Sequence, residues 1–154
     1  MGQTTFSGPV RSERGFTAVG SNAVVNITVE TTLTYADHVG RIIEINDADG
    51  AVTLPSITAA TIGAKYTFFV GTDASDLDIK TDGTDKFVGS VSVAGTTTKA
   101  FAPAASNDVI SMNGGTTGGD AGSYVEATAL ATAEYLVQGV LVGSGSVATP
   151  FADS

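Results

Sequence analysis

From Val24 onward, apolar and polar residues alternate or gather into short apolar runs rich in Val, Ile, Thr, Phe and Tyr. Successive side chains of a strand point to opposite faces, so this period of two predicts half-buried pleated strands and argues against helices, whose stripe would repeat every three to four residues. The predicted strands cover residues 23–29, 41–45, 51–54, 65–70, 77–80, 87–93, 97–101, 109–112, 123–127 and 135–142. Turn residues separate them at intervals of about 8 to 12 residues, the spacing of a sandwich or barrel. Asp47-Ala48-Asp49-Gly50 and Asp82-Gly83 are expected to close tight hairpins, because Asp and Gly tolerate the positive φ such turns need.

Three stretches break the rhythm. Residues 55–63 predict a single helical turn, with Ser56 as cap and Gly63 as terminator, plugging one end of the sandwich. The glycine-rich residues 113–122 predict a long mobile loop or wide turn, and residues 143–154 a Gly/Ser-rich tail ending in Thr149-Pro150-Phe151. The expected organisation is an arm over residues 1–20, a β-sandwich over 21–142 and that tail.

Composition narrows the function. Only 15% of the residues are charged, and the 154 residues hold one histidine, no cysteine and no tryptophan. A chain of this length suits one domain, able to bury roughly 68 to 70% of the surface its unfolded form exposes. Without cysteine there are no disulfides, no thiolate nucleophile and no Cys-type zinc site. The start of the chain is polar and glycine-punctuated, so neither a signal peptide nor a membrane span is expected. The net charge of -9 repels a phosphate backbone, which excludes nucleic acid as an expected partner. Arg11 and Arg14 face Glu13 alone in the first twenty residues, so a slightly basic arm precedes an acidic body.

Candidate chemistry is thin. Asp47, Asp49, Asp73, Asp76, Asp78, Asp82 and Asp85 offer oxygens to a hard cation, but their spacing is not that of an EF-hand loop and no closing glutamate follows. They are expected as turn residues, with no metal and no cofactor. The Gly114-Gly115-Thr116-Thr117-Gly118-Gly119-Asp120 run is a single copy of a calcium-repeat pattern that binds only when stacked. His38 lacks identifiable partners and is expected to be a surface or satisfied structural histidine. No Gly-x-Ser-x-Gly elbow occurs, and a glycosidase would need a carboxylate pair among aromatic platforms. Asn26-Ile27-Thr28 fits a glycosylation sequon by chance.

The arm remains: Thr5-Phe6-Ser7-Gly8-Pro9-Val10-Arg11-Ser12-Glu13-Arg14-Gly15-Phe16. Either it packs on its own domain or it anchors to a partner, its Phe rings filling pockets and its Arg side chains pairing with carboxylates. Ordering a dozen residues costs on the order of 12 to 24 kcal/mol, whereas burying two Phe returns about 3 to 6 kcal/mol. The arm therefore needs a groove, strand pairing or a lattice to become ordered.

That opening resembles the start of small capsid decoration (cement) proteins of tailed phages, where a Gly-Pro-Val-Arg-Ser-x-x-Gly-Phe sequence recurs. Val52-Thr53-Leu54-Pro55, the run from Ile62 to Val70, Gly122-Ser123-Tyr124-Val125-Glu126 and Gly143-Ser144-Gly145 before Thr149-Pro150-Phe151 extend the similarity along the body. Tyr135 stands where related chains tend to place Trp. The resemblance implies an all-β, single jelly-roll-like β-sandwich with an extended N-terminal arm. It implies a virion location on the outer surface of the head, major capsid protein as partner, a homotrimer, no catalysis, and Phe6, Pro9, Arg11, Arg14 and Phe16 as capsid-binding residues. The alternatives are a receptor-binding β-domain of a head or tail fibre and a carbohydrate-active enzyme on the same sandwich.

Overall fold

Alternation in the sequence becomes one-sided burial in the strands: along KYTFFV, burial runs exposed, buried, half-buried, buried, exposed, buried. The structure, a computed structural model, describes Gly20 and residues 23–154. Among these residues are twelve strands, namely β1 (Val24–Ile27), β2 (Thr31–Thr32), β3 (Ile42–Ile45), β4 (Ala51–Thr53), β5 (Lys65–Val70), β6 (Leu77–Lys80), β7 (Lys86–Ala94), β8 (Thr98–Phe101), β9 (Val109–Met112), β10 (Tyr124–Ala131), β11 (Glu134–Val142) and β12 (Phe151–Ala152). One short helix, α1 (Tyr35–His38), joins them. The chain is all-β, as the alternation predicts.

Seven strands form one sheet in the order β1-β3-β5-β10-β11-β7-β8, and five form a second in the order β12-β9-β6-β4-β2. Their inward residues meet in one hydrophobic cluster, with Ile43, Phe68, Val125 and Val137 from the larger sheet against Val52, Ile79, Ile110 and Met112 from the smaller. Tyr66 and Tyr135 meet edge to face inside it, with ring centroids 6.4 Å apart. The Tyr135 hydroxyl donates to the Pro55 carbonyl at 2.6 Å, which satisfies its buried polar end.

The strand order differs from a jelly roll, whose Greek keys pair antiparallel neighbours. Five of the ten pairings among the described residues are parallel. The physical reason is that the first six strands wind as three stacked coils. β1, β3 and β5 lie side by side in the larger sheet while β2, β4 and β6 do the same in the smaller, so the chain changes sheet at every step. The ladder continues around the corners, where Asn46 N–H donates to Ile27 O (2.7 Å) and Gly71 N–H to Ile45 O (2.8 Å). The half-buried corner amides are thereby satisfied.

The two expected hairpins are corners for the same reason. Residues 46–50 lead from β3 in one sheet to β4 in the other, and Asp82-Gly83 leads from β6 to β7. Turn chemistry is nonetheless as read: Asp82 Oδ1 accepts the N–H of Thr84 (2.9 Å) and of Asp85 (3.1 Å), and Gly83 has φ of 86°. Residues 55–63 form no helix: only 59–63 turn, with Thr61 N–H donating to Thr58 O. Ser56 Oγ donates to Asp82 and Ile57 N–H to Asp85 Oδ2, so side chains from the β6–β7 corner hold the groups a helix start would have used. Leu54 and Ile57 still enter the core.

The glycine-rich loop is tightly bonded. Asn113 Oδ1 accepts from Gly115 and Thr117, and Gly114 N–H donates to Gly118 O at 2.8 Å. Gly119 (φ 105°) passes so close to Met112 that a Cβ would lie 2.6 Å from that residue's own Cβ, so glycine is required there by both torsion and space. The C-terminal stretch also belongs to the body: β12 pairs with β9, and Phe151 is buried against Phe87.

One residue sits in a costly conformation. Ala133, in the turn between β10 and β11, has φ of 66°, a left-handed torsion that costs a residue with a Cβ about 1 kcal/mol. Ala133→Gly is expected to raise stability by up to about 1 kcal/mol, the gain being limited by the extra freedom of glycine in the unfolded chain. Urea unfolding midpoints check this, and a lower midpoint would contradict it.

Candidate binding face

The sequence-predicted binding residues Phe6, Pro9, Arg11, Arg14 and Phe16 lie outside the described residues. What the structure shows is where their segment joins the body: Ala23 N–H donates to Gly20 O at 3.0 Å, and β1 follows at the edge of the larger sheet.

The outward face of that sheet carries several apolar side chains beside β1. Pairing aligns Val24 with Ile42 and Thr67 in one row, and Asn26, Glu44, Phe69, Tyr124 and Val140 in the next. Val24, Ile42, Phe69, Tyr124 and Val140 are all exposed there. Between the rows runs an open groove of about 380 Å³, lined by Val24, Ile42, Glu44, Thr67, Phe69 and Tyr124. Contiguous apolar surface of this kind marks a contact site more often than scattered single side chains do.

Charge at the groove is acidic and organised. The Tyr124 hydroxyl donates to Glu126 Oε2 at 2.5 Å, and Lys65 Nζ lies 2.5 Å from Glu126 Oε1. The bonds from Lys65 and then Tyr124 hold the Glu126 carboxyl below the usual range, while that same bond to Glu126 pushes the Tyr124 hydroxyl up to about 12. Glu44, in the groove wall, has no ion-pair partner among the described residues. A ligand matching this surface carries an apolar group next to a cation.

The other candidates fall into structural positions. Thr34 N–H donates to His38 Nδ1 at 3.0 Å, so the histidine helps cap the four-residue helix it ends. Asp73 Oδ1 accepts Ala121 N–H, tying two corners together. Burial, then the neighbouring Asp73 charge, raises the Asp120 carboxyl above its ordinary range. Among the described residues no three His, Asp or Glu side chains come together as a metal site would require.

Sequence reasoning passed over the groove because its lining comes from four strands that only the sheet order makes neighbours. A signal was present in Ile42-Ile43 and Phe68-Phe69: adjacent apolar residues of one strand must face opposite sides, so one of each pair points outward. Compared with known proteins, the chain matches no protein family, no curated protein and no solved structure.

Proposed function

We propose that this chain is a capsid decoration protein: it binds the outer face of a phage head as a trimer and stabilises the shell by bridging major capsid subunits. The observation that supports this best is the exposed apolar row of the larger sheet lying beside the point where the arm joins, so that arm and face address one partner together. The decoration-type sequence of the arm supports the same reading. No bond chemistry is required. Each copy would span neighbouring shell subunits, and outward pressure would have to break its contacts before the subunits part. Three linked arms turn modest single affinities into a long-lived attachment.

Purified chain is expected to bind expanded empty heads and to appear as three-fold density, with a trimer mass in solution or on the particle. Density for lone copies on six-fold axes, or no binding to heads, would overturn the reading.

A further inference from the structure

The first coil leaves both sheets with an outer strand, β1 in the larger and β2 in the smaller. Ile27 O accepts Asn46 N–H, so the backbone groups of Ile27, and by the two-residue period those of Val25, point to β3. Those of Val24 and Asn26 therefore point the other way, where no strand lies among the described residues.

An edge of this kind templates strand pairing unless a charge, a proline or a bulge blunts it. The opposite edge, β8, carries exposed Lys99, and β2 and β12 hold two residues each. β1 is Val-Val-Asn-Ile, uncharged, and pairs with β3 without a shift of register. Among the described residues it is the one unblunted edge of its length.

Side chains beside the edge define what an added strand must carry. On the inner side Val25 is half-buried against the core and Ile27 is buried, so residues placed next to them pack best when apolar. On the outer side, a residue placed next to Asn26 has Glu44 two strand spacings away, about 10 Å, over a floor of Val24, Ile42 and Phe69. An arginine lays its apolar stem along such a floor and brings its guanidinium to the carboxylate, which has no ion-pair partner among the described residues.

We infer that β1 takes an added strand from a partner protein, an extended apolar-Arg-apolar segment whose backbone bonds Val24 and Asn26 and whose arginine crosses the groove to Glu44. Sheet extension supplies the attachment, and the groove selects the side chain. Nothing in this docking requires the partner to be a phage head.

The test follows the amides of the full-length chain by NMR while a capped Thr-Val-Arg-Val-Thr peptide is added to millimolar concentration. Shifts are expected at Val24, Asn26, Ile42, Glu44 and Phe69, and exchange of the Val24 and Asn26 amides with solvent should slow. The same peptide with Gln in place of Arg should bind about fivefold more weakly, and Glu44→Gln should remove that difference. Methylating the backbone nitrogens of the peptide should abolish binding. So should Asn26→Pro, which deletes an N–H on the open side and leaves the bonds to β3 in place; dispersed amide spectra confirm its fold. No shift at the edge, equal affinity for the two peptides, or binding that survives backbone methylation overturns the proposal. Val24 and Asn26 amides already protected in the free chain would overturn it too: the edge would then be filled by another copy if protection grows with protein concentration, and by this chain if it does not. Because the readout uses free protein and a synthetic peptide, failure to bind heads leaves the edge site standing, and failure of the peptide leaves head binding open to separate measurement.

Discussion

A chain lacking residues 2–16 is expected to keep its β-body and to lose attachment to expanded heads. The body should survive because the first strand begins at Val24 and the first residue of the hydrophobic cluster is Ile27, so the deletion removes nothing from the described core. Attachment should fail because the proposed anchors go together: two aromatic rings and two guanidinium groups per copy, multiplied by three in a trimer. Within the arm, Phe6→Ala or Phe16→Ala should cost about 2 kcal/mol per arm if each ring fills a pocket on the shell. Arg11→Ala combined with Arg14→Ala should weaken attachment and flatten its salt dependence, because partly exposed ion pairs are screened within about 8 Å at physiological ionic strength. Head sedimentation at two salt concentrations, with circular dichroism of the truncated chain, checks all of this. Full decoration by the truncated chain, or its outright unfolding, would show that the arm is only part of its own domain.

Ten of the twelve strands were legible in the sequence, several to the residue, because alternation fixes a strand locally. Lys65–Val70, Leu77–Lys80 and Val109–Met112 agree at both ends. Sheet membership was not legible. A turn such as residues 46–50 specifies that the chain changes direction, whereas Asn46 N–H meeting Ile27 O and Gly71 N–H meeting Ile45 O depend on partners some twenty residues away. The two missed strands, β2 and β12, have two residues each, too few for a period to register, and only the buried ring of Phe151 marked the second. Residues 55–63 misled for a related reason: their local propensity favours a helical turn, but carboxylates of Asp82 and Asp85 from a distant corner bond Ser56 and Ile57 first. The groove was illegible as a site because it exists only once β1, β3, β5 and β10 are laid side by side.

Asp108→Ala is expected to cause the largest loss of stability of any single polar substitution, about 3 kcal/mol, because it breaks three interactions of one buried carboxylate. Lys86 Nζ approaches Asp108 Oδ2 at 2.7 Å, while Ser154 donates its N–H to Oδ1 at 2.8 Å and its Oγ–H to Oδ2 at 3.1 Å. The side chain of Asp108 is 3% exposed and that of Lys86 34%, so the freed lysine regains water and the cost stays at the lower end for broken buried pairs. The substitution should also loosen β12, whose pairing with β9 ends beside this contact. Burial works against the charged form of Asp108, but the bonds from Lys86 and Ser154 outweigh it and hold the carboxyl below its ordinary range. A carboxyl lowered by folding stabilises the native state above the unfolded value, about 3.9 for Asp, and loses that contribution as pH falls through the folded value. The gap between parent and Asp108→Ala should therefore be widest above about pH 5 and narrow on acidification below about pH 4. Asp82 and Glu126, also held low, keep an acid limb in both proteins, whereas Asp85 and Asp120, held high, oppose it. Urea midpoints from pH 3 to 7 measure the difference directly, and a gap that stays constant across that range would mean that the charge of Asp108 contributes nothing and only its packing matters.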